Sequence, residues 1–264
     1  MVKRMMIAGL SDSTATALYG IFSGMVIRLI NIPTALALAI SMSLVPAISA
    51  VKALNDMPAV RKESNNGIRY AFLIGFPCAV GMSVLSKEIL AFFYEQTLTP
   101  ERLDIAASLL SVSALTVVLF TVVQATSSIL QGLKLQNLPM YTMIAGVTLK
   151  VIMNYILIGI PSVNIHGGPI ASIVCYSVSM VPNLYFCCKH TEMAFNWKGW
   201  ILKPGLSVLA MGIAVYALKW ILPMGRITTL LKVTVGIFVY LFTALKIQAI
   251  TSEDLRSFRR KKAA

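Results

Sequence analysis

The sequence predicts an all-α polytopic membrane protein of about seven transmembrane helices, and three observations lead there. Apolar residues make up 57% of the 264 and charged residues only 12%, a balance unlike that of ordinary soluble domains. The apolar residues gather into seven stretches, near 30–51, 68–90, 105–130, 138–160, 168–188, 204–222 and 228–248. Each is close to the roughly 20 residues a helix needs to cross a hydrocarbon core of about 30 Å. Runs such as 105–129 and 230–245 do not alternate apolar and polar residues as barrel strands do, which leaves helices as the way to satisfy backbone groups in lipid.

The first long stretch, 15–53, would be nearly 60 Å as one helix at about 1.5 Å per residue, twice the hydrocarbon thickness. Asn31-Ile32-Pro33 offers a break, because proline lacks a donor and disfavours helix at the preceding residue. The expected result is an amphipathic approach helix over 13–30 and a span proper from about 30 to 50. A polar loop follows at 55–66, carrying both signs of charge. The second span contains Gly75-Phe76-Pro77, a kink whose freed carbonyl needs a partner on another helix. It ends in an amphipathic run, 85–93, suited to an interface.

The loop 95–104 holds three acids and one Arg. The third span ends in Gln131-Gly132-Leu133-Lys134 and the fourth begins just after Pro139. His166-Gly167-Gly168-Pro169 opens the fifth, small residues that permit a tight turn and close helix approach. The linker 189–203 contains Trp197 and Trp200, read as interface anchors. Beyond it, spans six and seven are less polar and form a peripheral pair.

The net charge of +13 is distributed as membrane topology requires. With the C-terminus in the cytoplasm and strict alternation, cytoplasmic segments hold fourteen Lys and Arg and external ones seven, with Arg28 and Lys150 completing the 23. That bias matches the positive-inside rule, although Lys219, Arg226 and Lys232 cluster around an external connection. The tail Arg259-Arg260-Lys261-Lys262 is expected to meet anionic headgroups of membrane lipids. A nucleic-acid partner calls for aromatic platforms or a folded basic module, and neither is visible.

No enzyme, cofactor or metal site is expected. His166 and His190 lie in loops, no carboxylates cluster within the spans, and there is no Gly-rich phosphate loop. Cys78, Cys175, Cys187 and Cys188 have no metal-type or disulfide spacing. Acylation of Cys187-Cys188 and simple packing both fit the pair.

The residues that carry chemistry are two cations at membrane depth. A centred Arg costs roughly 2.5–3.5 kcal/mol on insertion scales, so Arg28 either faces a watery cavity or snorkels to the headgroups. Lys150 lies twelve residues into the fourth span, where snorkelling is harder, and Asn154 extends it into a polar stripe one turn later. No acid is placed to neutralise Lys150, which favours a cavity that meets an anionic ligand. Gln124 and Gln131, seven apart on one helix face, fit helix–helix hydrogen bonding or a cavity lining.

Several stretches resemble the multidrug/oligosaccharidyl-lipid/polysaccharide flippase superfamily, and within it the stage V sporulation protein B-like polysaccharide transporters. They are Ala15-Thr16-Ala17-Leu18-Tyr19-Gly20; Leu29-Ile30-Asn31-Ile32-Pro33-Thr34 running into Ser43-Leu44-Val45-Pro46; Gly75-Phe76-Pro77-Cys78; Ser128-Ile129-Leu130-Gln131-Gly132-Leu133; Leu149-Lys150-Val151-Ile152-Met153-Asn154-Tyr155; and Gly167-Gly168-Pro169-Ile170-Ala171-Ser172. Their order and spacing over 9–190 carry the match. The resemblance implies a MATE-like alternating-access fold of two six-helix lobes around a cavity, followed by two accessory helices, that moves lipid-linked sugars across the bacterial plasma membrane. It implies that 1–190 is the C-terminal lobe without its first helix, and that 191–264 is a linker, the accessory pair and a basic cytoplasmic tail. In this reading the first lobe is missing from the chain, and a first-lobe half is a candidate partner. In the related lipid II flippases an Arg-Leu pair shortly before a proline lines the cavity, and Arg28-Leu29 with Pro33 matches it. The expected substrate-binding set is Arg28, Lys150, Asn154 and Gln124. Two alternatives stay open: a cation-coupled multidrug antiporter of the same fold, and a truncated or structural half without transport activity of its own.

Overall fold

A computed structural model of the chain describes residues 1–250, and among them there is no strand. The helices are α1 (Val2–Ile7), α2 (Asp12–Ile21), α3 (Ile27–Ala53), α4 (Met57–Val84), α5 (Ser86–Tyr94), α6 (Pro100–Ser113), α7 (Leu115–Gly132), α8 (Asn137–Leu157), α9 (Gly167–His190), α10 (Lys203–Ile221) and α11 (Arg226–Lys246). Seven segments among the described residues are long and apolar enough to cross a membrane: Asp12–Ala53, Met57–Val84, Pro100–Gly132, Asn137–Leu157, Asn164–His190, Lys198–Ile221 and Arg226–Lys246. Each of the seven sequence-predicted stretches overlaps one of them, four running a few residues past its end. The chain is an all-α, multi-pass membrane protein. The basic tail at 259–262 lies outside the described residues.

Two boundaries differ from expectation. Pro33 does not break the first helix: α3 runs through it, and the irregularity is a π-helical turn upstream, Phe22–Val26. Pro33 removes only the bond to the Leu29 carbonyl, a loss that a membrane helix tolerates. The polar stretch 55–66 is a loop only at 55–56 and is helix from Met57 onward. Asp56 accepts the Ala59 amide at 3.0 Å and Pro58 stands in the first turn, so α4 starts at a capped end and projects beyond the apolar region.

The core has three parts. Residues of α3, α4, α7 and α9 such as Ile48, Ile68, Val122, Ile129 and Leu184 form one. A second joins α2 and α3 to α6 through Phe22, Val26, Leu109 and Leu110. A third seats α10 and α11 on α4 through Leu73, Val208, Met211, Val215 and Tyr240. The Pro100–Gly132 segment is the most enclosed of the seven and α8 the least. Small residues set the spacing: a Cβ on Gly146 of α8 would stand 2.6 Å from the Cys175 carbonyl of α9, and one on Gly167 would stand 2.9 Å from the Leu157 side chain. The close approach expected of the Gly167-Gly168 turn is therefore real.

The proline kink in α4 has the partner it requires. Pro77 leaves the Leu73 carbonyl without its helical donor, and the Tyr240 hydroxyl of α11 donates to that oxygen at 2.7 Å. Tyr240→Phe is expected to cost about 0.6–1.5 kcal/mol, the range for interhelical hydrogen bonds in membranes, measured by chemical unfolding in micelles. A loss within error would mean that the freed carbonyl finds another donor.

Candidate functional site

Helix α3 buries one stripe, Leu29, Pro33, Ala37, Ser41, Leu44 and Ile48, at the spacing of one helical face. The opposite stripe carries Arg28 and Asn31 and continues into exposed Ile32, Leu36 and Met42. Arg28 is exposed and makes no hydrogen bond or ion pair with the described residues. Its Cα lies about 38 Å along the helix from Ala53 at 1.5 Å per residue.

Lys150 is half-buried on α8. It stands one turn beyond Gly146, on the face that closes on Cys175 and Ser179 of α9. Asn154 follows on the same face, and its Oδ1 is enclosed without a hydrogen-bond partner. Gln124 is half-buried on α7, one turn before Ser127. Lys150 and Asn154 thus share a face, whereas no hydrogen bond or ion pair links either to Arg28 or Gln124 among the described residues.

Next to Gln124 lies a buried polar network that the sequence did not single out. Asn183 of α9 is fully buried; its Oδ1 accepts the Thr142 hydroxyl of α8 at 2.8 Å and its Nδ2 donates to Ser127 Oγ of α7 at 3.3 Å. Ser179 donates to the Thr142 carbonyl at 3.1 Å. Three helices are locked together by satisfied groups, so this network is structural glue.

A second cluster, which the sequence did not single out, joins α5 to α10 and α11. Glu88 of α5 is only 3% exposed. Its Oε1 is 3.8 Å from Lys232 Nζ of α11, itself 1% exposed, and its Oε2 is 3.6 Å from Lys219 Nζ of α10. Lys219 also donates to the Val84 carbonyl at 3.2 Å. Lys232, placed by the sequence reading around an external connection, is a core residue. The signal was present: cations crowding the side read as external call for a counter-charge nearby.

Trp200 also departs from its reading as an interface anchor. It is fully buried, and its Nε1 donates to Asn65 Oδ1 at 2.8 Å, because the linker folds onto the projecting part of α4. Trp197 remains exposed. Cys187 is buried, with its Sγ 3.4 Å from the Thr126 carbonyl, so packing accounts for it. His166 approaches Ser108 Oγ at 2.8 Å. Among the described residues no three His, Cys, Asp or Glu side chains gather into a metal-binding group.

A family model described as lipid II flippase MurJ matches residues 13–242. The chain is 26% identical to lipid II flippase MurJ of Bacillus subtilis (strain 168) over 250 residues, covering 89% of this chain and 45% of that protein. It is 26% identical to stage V sporulation protein B of the same organism over 165 residues, 62% of this chain and 30% of that one. The probable low-salt glycan biosynthesis flippase Agl15 of Haloferax volcanii is 24% identical over 202 residues, 76% of this chain and 40% of that protein. Among solved structures, lipid II flippase MurJ in an inward closed conformation superposes with a TM-score of 0.65 at 23% identity, over 87% of this chain and 46% of that one. The likeness establishes a shared fold. The chain spans less than half the length of the curated relatives it matches.

Proposed function

The chain belongs to the lipid II flippase MurJ family, and on that premise we propose that it is part of a flippase moving a lipid-linked oligosaccharide or polysaccharide precursor across the bacterial plasma membrane by alternating access. In this reading residues 1–190 form the second lobe, and 191–264 are the linker, the accessory helices and a basic tail in the cytoplasm. A first-lobe half completes the cavity against the uncovered face of α3. It acts as a transporter and not an enzyme.

The observation that carries the reading is Arg28, a cation exposed on α3 and unpaired among the described residues. Guanidinium suits a pyrophosphate through charge and bidentate geometry. Lys150, Asn154 and Gln124 contribute further polar groups on α8 and α7. A cation-coupled drug antiporter, by contrast, needs an embedded acid free to take up a cation. Glu88, the buried acid on α5 outside the seven spans, is held by Lys219 and Lys232.

The test is reconstitution of the chain with its first-lobe half in liposomes holding a fluorescent lipid-linked glycan, read with a membrane-impermeant quencher. Transfer of the glycan between leaflets is expected only when both halves are present. Gradient-driven drug efflux without glycan transfer would replace this reading with the antiporter.

A further inference from the structure

Where α4 projects beyond the apolar region, the 191–197 linker folds beside it and leaves an open cleft of about 540 Å³. One wall is a face of α4 bearing Arg61, Lys62 and Asn65; the other is Met193, Phe195 and Asn196. Arg61 Nε donates to the Thr191 carbonyl at 3.4 Å and its Nη2 pairs with Glu192 Oε2 at 3.2 Å. These bonds hold the linker and offset the Arg61 charge. Lys62 is exposed and bonds no described residue, so the cleft keeps one net positive charge.

The hydrogen-bonding balance is one-sided. Asn65 Oδ1 is occupied by Trp200 Nε1 at 2.8 Å, and Asn196 Oδ1 by the Gly199 amide at 2.9 Å. Each of the two amide oxygens already accepts one hydrogen bond, while their NH₂ groups and the Lys62 ammonium remain as donors. A wall of donors with one uncompensated positive charge selects an anion. Apart from Asn196 the facing wall is apolar, with Phe195 half exposed beside Trp197, the aromatic setting of a membrane interface.

We propose that this cleft binds an anionic phospholipid, its phosphate on Lys62, Asn65 and Asn196 and the start of its acyl chains along Met193 and Phe195. A free phosphate uses only the donors Lys62, Asn65 and Asn196; the apolar surface of Met193 and Phe195 and the position at the ends of the spans assign the lipid. A headgroup bound here bridges α4 to the linker that leads into α10, so the local lipid composition acts on the seating of the accessory pair.

The full chain, purified in detergent with equal phosphatidylglycerol and phosphatidylcholine, provides the test by native mass spectrometry. Lys62→Gln is expected to lower phosphatidylglycerol retention relative to phosphatidylcholine about fivefold, the effect of one basic residue at an anionic surface. Lys134→Gln, in the α7–α8 turn at the same end of the bundle, is expected to leave the ratio unchanged. Both residues are exposed, and unchanged circular dichroism verifies the fold of each variant. Equal losses in the two variants, or no loss in Lys62→Gln, would overturn the site. Displacement of the lipid by millimolar inorganic phosphate would overturn the lipid as its occupant.

Discussion

Replacing Glu88 with Ala is expected to destabilise the chain by about 3–5 kcal/mol, the cost of leaving a buried charge without its partner. Lys232 is only 1% exposed and its ammonium is 3.8 Å from Glu88. Without the carboxylate it must draw water into the core or swing out with α11. Lys232→Ala is expected to cost a similar amount, because Glu88 is then left with the half-exposed Lys219 alone. The double variant is expected to cost clearly less than the sum, since it removes both charges together. Chemical unfolding of the four proteins in micelles gives this cycle directly. Additive losses would mean that the two charges do not stabilise each other and that α11 is held by packing and Tyr240 alone. The same variants locate the damage: faster proteolysis in the 191–197 linker, with the packing of α3, α4, α7 and α9 intact, is expected when α10 and α11 come loose.

Much of the fold was legible because lipid imposes a length and a composition on every span. All seven spans follow from apolar runs, and the need for a donor at the Pro77 kink was readable before Tyr240 was seen to provide it. What hydropathy concealed lies where charged residues are helical or buried. Arg61, Lys62 and Glu63 made 55–66 look like a loop, although Asp56 and Pro58 mark a helix start. Glu88, Lys219 and Lys232 come from three helices far apart in sequence, and only packing brings them together. Once Lys219 and Lys232 are seen to face Glu88, they no longer count as loop charges against the positive-inside bias. The candidate site was legible as residue types only. Lys150 and Asn154 share a face as helical spacing requires, but Arg28 sits on α3, out of bonding contact with them, and residue types alone could not say which side chains share a face or a helix.

On the proposed flippase reading, Arg28→Ala in the assembled transporter is expected to reduce glycan transfer by ten- to a hundredfold while leaving membrane insertion intact. Arg28 lies on the uncovered stripe of α3 and bonds no described residue, so its removal breaks nothing in the lobe itself. Insertion becomes easier, because a membrane Arg costs roughly 2.5–3.5 kcal/mol on the translocon scale. The transfer loss follows from a charge-assisted hydrogen bond to phosphate worth about 1.5–3 kcal/mol, given that a factor of ten is about 1.4 kcal/mol. Arg28→Lys separates this role from snorkelling. A lysine keeps the charge but not the bidentate fork, so a substrate contact predicts an intermediate rate, while a headgroup anchor predicts a rate like that of the parent. Lys150→Met provides the comparison within the lobe: Lys150 is half-buried against α9, and its loss is expected to weaken transfer less than the loss of Arg28. Transfer at the parental rate by Arg28→Ala, with normal insertion, would remove Arg28 from the substrate path and return it to the headgroup region.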